Sequence, residues 1–138
     1  MAAFRNPSDE VIREILSQPR TIAVMGCSPD PNRDSHRIAA LLQAKGHKVI
    51  PVNPTCDSIL GERCFATLTD IAEKVEMVDV FRRPEFVDEI ADQAIVIGAR
   101  ILWLQLGVIN PAAAQKAQEA GLTVVMDRCP AIEYRRLF

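Results

Sequence analysis

The chain has 138 residues, of which 49% are hydrophobic and 25% are charged, and its formal net charge is -2. This length and composition are typical of one soluble globular domain, and no apolar run approaches the ~20 residues of a membrane-spanning helix or has the character of a signal peptide. The negative net charge argues against a general nucleic-acid-binding protein, because such a protein needs excess positive charge to neutralise phosphates.

Helical segments alternate with short apolar runs along the chain. The first helix is predicted over residues 6–18, because Asn6 is a favourable N-cap and Pro7 fits the first helical position. Four further helical segments follow, most of them closed by a glycine. They run from Asp34 or Ser35 to Gly46, through a short turn capped by Thr67, from Pro84 to Gly98 and from Asn110 to Gly121.

Five β-rich runs separate these helices and are mostly continuous apolar segments, which is typical of strands covered on both faces. Alternating strands and helices predict βαβ units with right-handed crossovers. We therefore expect a single domain over residues 1–138. Its core, over 20–130, is a Rossmann-like three-layer α/β/α fold with a five-stranded parallel sheet, followed by a short C-terminal tail. The longest irregular segment is 53–64. The runs are TIAVMG (21–26), KVIPV (48–52), MVDVF (77–81), ILWLQ (101–105) and LTVVM (122–126).

Arginines follow several of these strands. Ligands of open parallel sheets bind at the carboxyl ends of the strands, so residues just after each strand are expected to meet at one edge. Arginine suits phosphate because its planar guanidinium can donate two parallel hydrogen bonds, and the loop after the first strand adds a helix N-terminus. A phosphate ligand is therefore favoured, with a solvated turn at Arg82 and Arg83 as the alternative. The arginines at this edge are Arg33, Arg82, Arg83 and Arg128.

The turn after the first strand, GCSPDP at 26–31, departs from the dinucleotide-binding pattern. That pattern requires G-x-G-x-x-G followed by an acidic residue at the end of the second strand, which binds the ribose hydroxyls. Here Gly26 is the only glycine of the three, Ser28 occupies the second glycine position, and the second strand leads into Asn53 and Pro54. The sequence therefore makes NAD a less favoured cofactor.

Four other residues invite a structural rather than a catalytic interpretation. Asp79 lies inside an apolar strand, where a carboxylate must be hydrogen-bonded to be tolerated. Trp103 lies within the fourth strand and is expected in the core. His36 stands at a helix start and His47 just after a helix end, so both are expected at the surface.

The four cysteines form no C-x-x-C pair, and with only two histidines the chain is not expected to bind a metal. A reduced protein of the cytoplasm is the simplest interpretation. Cys27 and Cys129 fall near the predicted ligand edge, where two unreactive thiols are favoured and a redox role remains an alternative.

Several longer phrases resemble the small stand-alone CoA-binding proteins, whose domain is similar to the CoA-binding domain of the succinyl-CoA synthetase α subunit. The similarity extends from about residue 20 to residue 133, and Cys27 stands where alanine is more usual. The matching phrases are IAVMGCSPDPNRDSHRIAALL, VIPVNP, ILGERCFATL, VDVFRRPE, WLQLGV and VVMDRCP.

The resemblance implies coenzyme A, or an acyl-CoA, as the ligand. It implies that the pyrophosphate lies on the loop after the first strand, the nucleotide end passes the loop after the second, and the pantetheine arm runs toward the loops after the third and fourth. From charge, we expect Arg33 to meet a phosphate, namely the 3′-phosphate of CoA. The implied site comprises Gly26, Cys27, Ser28, Pro29 and Arg33, then Val52, Asn53 and Pro54, then Phe81, Arg82, Arg83, Gln105, Leu106 and Gly107.

The synthetase also needs a domain with a phosphorylated histidine, which this sequence does not contain, and no nucleophile–base pair is recognisable. We therefore expect non-catalytic binding of CoA or acyl-CoA, with a regulatory role open. The alternatives are an NAD(H)-responsive redox module and an enzyme that uses Cys27 or Cys129 on a CoA thioester. No nucleic-acid or membrane partner is expected, and a homo-oligomer or a protein partner stays open.

Overall fold

The central sheet of the computed structural model, which describes residues 4–138, is parallel and has five strands. In chain order its strands are β1 (Thr21–Met25), β2 (Lys48–Val52), β5 (Met77–Val80), β6 (Ile101–Leu104) and β7 (Thr123–Val125). A separate small antiparallel hairpin of β3 (Ser58–Ile59) and β4 (Glu62–Arg63) lies in the segment 53–64, which was expected to be irregular. The sheet order is β2-β1-β5-β6-β7. The predicted α/β fold with a five-stranded parallel sheet is confirmed.

Helices cover both faces of the sheet. They are α1 (Asp9–Ser17), α2 (Asp34–Ala44), α3 (Val87–Val96), α4 (Pro111–Glu119) and α5 (Pro130–Leu137), with single 3-10 turns at Leu68–Asp70 and Pro84–Phe86. The helices α3 and α4 pack against each other on one face, while α1, α2 and α5 pack together on the other. The residues after Cys129, expected as a short tail, therefore form a helix that completes one of the two outer layers.

The N-terminal helix begins later than predicted. Ser8, and not Asn6, is its N-cap: the Ser8 hydroxyl accepts from the backbone N–H of Val11 at 3.3 Å. The Asn6 side chain instead pairs with the backbone of Met126, donating to its carbonyl at 2.9 Å and accepting from its N–H at 2.7 Å. Asn6 thus fastens the N-terminal segment to the residue that follows β7, a contact that no local capping rule reveals.

The surface position expected for His47 is wrong. The side chain is buried, with its Nδ1 accepting from the backbone N–H of Arg20 at 3.0 Å and its Nε2 2.7 Å from the hydroxyl of Tyr134. The Tyr134 hydroxyl donates in turn to the carbonyl of Leu16 at 3.1 Å. Since Nδ1 must be unprotonated to accept, this arrangement requires a neutral imidazole. Burial, followed by the positive charge of Arg20, lowers the pKa of His47.

We expect His47 to make folding stability sensitive to mild acid. Because its pKa is lower in the folded than in the unfolded protein, its contribution is present above the unfolded value of about 6.5 and is lost as the pH falls below it. Between about pH 7.5 and about pH 5.5, urea unfolding should show a larger loss of stability for the wild type than for His47→Gln, whose amide can still accept from Arg20 and donate to Tyr134. His36→Gln serves as the matched control, and an unchanged pH dependence in His47→Gln would contradict the assignment.

Candidate functional site

A cleft of about 980 Å³ opens at the carboxyl ends of the strands. It lies where the connections from the neighbouring strands β1 and β5 leave in opposite directions, toward β2 and β6, which is the position where open α/β sheets bind ligands. Nine of the predicted site residues line it: Gly26, Ser28, Arg33, Phe81, Arg82, Arg83, Gln105, Leu106 and Gly107. The remaining five, Cys27, Pro29, Val52, Asn53 and Pro54, lie outside its lining.

The glycine turn after β1 lies between the ends of β2 and β5 and is hydrogen-bonded to β2. The N–H of Gly26 donates to the carbonyl of Val52 at 3.0 Å, and the N–H of Phe81 donates to the carbonyl of Met25 at 2.9 Å. Gly26 has a φ of +77°, and a Cβ built on it would overlap the carbonyl oxygen of Phe81. Only glycine permits this approach, so the turn and the Phe81 loop form one continuous wall of the cleft.

Ser28 fastens the turn to the first turn of α2. Its hydroxyl accepts from the N–H of Asp30 at 3.1 Å, as expected for a residue that caps the turn backbone. Its N–H donates to the hydroxyl of Ser35 at 3.0 Å, and its carbonyl lies 3.0 Å from Nδ1 of His36. His36 is therefore half-buried and holds the loop, and Pro29, which follows Ser28, is exposed.

The loop after β2 is hydrogen-bonded to the glycine turn through the side chain of Asn53. The Asn53 amide donates to the carbonyl of Cys27 at 2.8 Å, and its oxygen accepts from the N–H of Thr55 at 2.8 Å. Val52 and the Cys27 side chain are buried, whereas Pro54 is exposed. Both ends of the Asn53 side chain are thus occupied by the protein, and the predicted contact of this loop with a nucleotide stays a prediction.

Three of the four predicted arginines lie on the cleft. Arg82 and Arg83 place their guanidinium carbons 4.4 and 5.3 Å from the centre of the Phe86 ring, and Arg33 is exposed at the start of α2. Within residues 4–138, no carboxylate lies at salt-bridge distance from any of these three. An aromatic ring orients two of the cations without neutralising them, so their charge remains available to an anion.

Arg128 does not share that position. It lies in a smaller depression of about 270 Å³ beside the cleft, with its Nε 3.5 Å from the buried carboxylate of Glu133. Its carbonyl also accepts from the Nε1–H of Trp103 at 2.9 Å. Trp103 is fully buried in the sheet, as predicted. Arg128 therefore follows β7 at the carboxyl edge of the sheet, as expected, but lies outside the lining of the cleft.

A buried carboxyl group lies behind the floor of the cleft. Asp79 is completely buried, and its Oδ1 accepts from Nε2 of Gln105 at 2.6 Å, while its Oδ2 has no hydrogen-bond partner. Burial raises the pKa of Asp79 to about 7, and the hydrogen bond from Gln105 opposes that rise. The prediction of a satisfied structural carboxylate is thus met at one oxygen only.

The thiols near the cleft differ in exposure. Burial, followed by the neighbouring Cys64, Asp79 and Cys56, raises the pKa of Cys27 to about 12, so its thiolate is not formed near neutral pH. Cys129 is half-buried and lines the cleft.

No cluster of three or more side chains able to hold a metal ion occurs in the described part of the chain. Among residues 4–138, none of the helices has the length and apolar character needed to cross a lipid bilayer.

Several lining residues were not predicted from the sequence. The first turns of α2 contribute one side of the cleft, and this could have been anticipated, because residues three and four apart share a helix face. Pro84 and Val108 also line the cleft, as does Cys129, which was expected near this edge. The residues from α2 and the segment before it are Asn32, Asp34, Ser35, Arg37 and Ile38.

A family model described as a CoA binding domain matches residues 20–135. The Bacillus subtilis (strain 168) protein YneT is 40% identical over 126 residues, which cover 91% of this chain and 93% of YneT. A hypothetical protein from Pyrococcus horikoshii OT3 has a similar structure, with a TM-score of 0.91, 41% sequence identity and coverage of 99% of both chains. These similarities extend over nearly the whole fold.

A part of a much larger protein is also similar. The ADP-forming acetate–CoA ligase II of Archaeoglobus fulgidus is 31% identical over 77 residues, which cover 54% of this chain and 11% of the ligase. The matching region is homologous to the CoA-binding domain of such ligases. The similarity therefore concerns one domain of the ligase and not its remaining length.

We expect Gly26→Ala to destabilise the protein more than Gly98→Ala. Both glycines have a φ of +77°, but a Cβ on Gly98 has no atom within 4 Å, whereas one on Gly26 overlaps the Phe81 carbonyl. The left-handed backbone alone should cost about 1–2 kcal/mol in each variant, and the overlap should add about 1–3 kcal/mol in Gly26→Ala. Urea unfolding of the two variants measures the difference, and equal losses would show that the turn can move away from Phe81.

Proposed function

The chain belongs to the CoA-binding domain family, and from this premise we propose that it binds coenzyme A or an acyl-CoA in the cleft without catalysing a reaction on it. Four arginines line the cleft, and Arg37 is paired with Asp34. The observation that carries the proposal is that no carboxylate of the described residues pairs with the other three, Arg33, Arg82 and Arg83. A protein with a formal net charge of -2 concentrates positive charge at this place, which suits a ligand with several phosphates.

The pyrophosphate is proposed to lie against the turn of Gly26 and Ser28. The adjacent first turn of α2 supplies N–H groups that have no partner within the helix and can donate to an anion. Ser28 is held on both sides by Ser35 and His36, so the loop is ordered before a ligand arrives. A preformed loop reduces the entropy lost on binding.

The two ends of CoA are proposed to leave this turn in different directions. Arg33 is placed to meet the 3′-phosphate, and the adenosine is proposed to pass the exposed Pro54, with Val52 and Asn53 supporting that loop. The pantetheine arm is proposed to follow the cleft along Phe81, Arg82 and Arg83 to Gln105, Leu106 and Gly107. Cys27 and Pro29 contribute only through the backbone of the turn.

The state of Cys27 argues against the enzymatic alternative that uses this thiol. Cys27 is buried and its pKa is raised to about 12, so it is a poor nucleophile. The NAD(H) alternative would need a free group after β2 to bind the ribose, but both ends of the Asn53 amide are engaged. All four cysteines are free thiols, which suits the reducing cytoplasm as the proposed location.

Calorimetry with CoA, acetyl-CoA and NADH tests the proposed ligand. We expect CoA to bind and NADH not to, and we expect Ser28→Trp to abolish CoA binding by filling the turn while the protein remains folded. Ser17→Trp is the matched control, because Ser17 ends α1 and lies outside the cleft. Tight NADH binding with none for CoA would overturn the proposal. Turnover of a CoA thioester that is lost in Cys129→Ser would instead support an enzyme.

The assignment of Arg33 to the 3′-phosphate is tested by comparing CoA with dephospho-CoA. Arg33→Ala should weaken CoA binding by about 1.5–3 kcal/mol, the value of one charge-assisted hydrogen bond, and should leave dephospho-CoA nearly unaffected. Arg100→Ala is the control, since Arg100 is exposed and precedes β6 at the opposite edge of the sheet. Equal losses for the two ligands would rule out this contact.

A further inference from the structure

The buried pair of Asp79 and Gln105 is a polar contact that extends from the sheet to the cleft. Asp79 lies in β5, beside Val24 of β1 and Trp103 of β6 in the strand register, and Gln105 follows β6 directly. Gln105 is 4% exposed and lines the cleft, whereas Asp79 is fully buried behind it. A ligand in the cleft can therefore touch Gln105 but not Asp79.

The charge state of Asp79 dictates which end of the Gln105 amide faces the cleft. An ionised carboxyl group can only accept hydrogen bonds, so Gln105 must turn its Nε2 toward it, as the 2.6 Å contact shows. The amide oxygen of Gln105 is then left for the cleft. Gln105 lines the cleft, and its oxygen, unlike Oδ2 of Asp79, is not a buried atom without a hydrogen-bond partner. In this state the floor of the cleft presents a hydrogen-bond acceptor.

Protonation of Asp79 reverses the polarity of the floor. The proton belongs on Oδ1, the oxygen that faces Gln105, because an O–H at Oδ2 would have no partner. The Oδ1–H then donates to the amide oxygen of Gln105, and the amide rotates so that its NH₂ group faces the cleft. The unpartnered Oδ2 favours this protonated state, because a buried carboxylate oxygen without a hydrogen bond is costly. The two states thus present opposite hydrogen-bonding groups at the same position.

The surroundings of Asp79 contain few other titratable groups. Cys27, in the turn after β1, is the group whose own pKa responds to Asp79, and with a pKa of about 12 it stays neutral. The strand neighbours Val24 and Trp103 carry no charge. Within residues 4–138, no cation forms an ion pair with Asp79. The contact with Gln105 is therefore what couples Asp79 to the cleft.

We propose that Asp79 is a positioning residue that holds Gln105 as an acceptor for an amide N–H of the pantetheine arm, so that CoA binds to the protein with Asp79 ionised. This inference rests on the proposed function, because the secondary amides belong to the pantetheine part of CoA. The nucleotide part of CoA has no such amide, so only the complete ligand should depend on Asp79.

The direction of the pH dependence follows from this choice. A ligand that binds the ionised state lowers the pKa of Asp79 in the complex, so binding releases a proton when the free group is protonated. CoA affinity should be unaffected above the pKa of the free group, about 7, and should fall as the pH drops below it. The fall is at most about tenfold per pH unit.

Calorimetry with CoA and with adenosine 3′,5′-bisphosphate, which lacks the pantetheine arm, tests the proposal. From about pH 8 to about pH 6, wild-type protein should lose about five- to tenfold of its CoA affinity through Asp79, and buffers of different ionisation heat should reveal the released proton. In Asp79→Asn this part of the pH dependence and the proton release should vanish, while the bisphosphate should bind both proteins alike. Identical pH profiles and proton release for CoA in the two proteins would overturn the proposal.

Two further measurements separate this inference from the function on which it rests. Gln105→Leu removes the acceptor, so it should weaken CoA about tenfold at about pH 8 and leave the bisphosphate unchanged, and equal effects on both ligands would overturn the proposal. In the ligand-free wild-type protein, the Gln105 side-chain NH₂ resonances should titrate near pH 7, and in Asp79→Asn they should not. An absent titration would refute the coupling even if CoA binds. If neither ligand binds while the resonances titrate, the proposed function fails and the coupling stands.

Discussion

The close approach between Gly26 and the carbonyl of Phe81 is the contact on which the cleft depends. It joins the loop after β1 to the loop after β5, the two neighbouring strands whose connections diverge. Without a side chain at Gly26, the two loops form one wall, and the N–H of Gly26 is still satisfied by the carbonyl of Val52.

The cleft concentrates positive charge by leaving three of its four arginines, Arg33, Arg82 and Arg83, without carboxylate partners. Six other cations within residues 4–138 form ion pairs, for example Arg136 with Asp9 and Lys116 with Asp88. At the cleft, Arg82 and Arg83 lie over the ring of Phe86 instead. An aromatic face restricts the position of a guanidinium but does not cancel its charge, so the site keeps its attraction for anions within a negatively charged protein.

Two titratable groups are buried on the same side of the sheet, and their surroundings favour the neutral form of both. Three hydrogen bonds connect Arg20 to His47, His47 to Tyr134 and Tyr134 to Leu16. This chain of hydrogen bonds joins α1, α5 and the start of β2, and its role is structural. Asp79 differs, because one of its oxygens has no partner and its neighbour Gln105 reaches the cleft. Because Asp79 is hydrogen-bonded at one oxygen only, its protonation state can respond to a ligand. Both ring nitrogens of His47 are hydrogen-bonded, and these bonds fix the neutral imidazole.

The sequence by itself determined the alternation of strands and helices, the parallel sheet and the loops that line most of the cleft, because each of these follows from local patterns and from the rule that parallel strands end at one edge. Only the tertiary structure decided the roles of Asn6, His47 and Arg128. Their partners lie far along the chain, as with Asn6 and Met126, which are 120 residues apart. Asp79 and Gln105 are likewise 26 residues apart and meet only because β5 and β6 are neighbours in the sheet. Such contacts depend on which elements become adjacent after folding. Hydrophobic periodicity and capping signals carry information only about residues that are close together in the sequence.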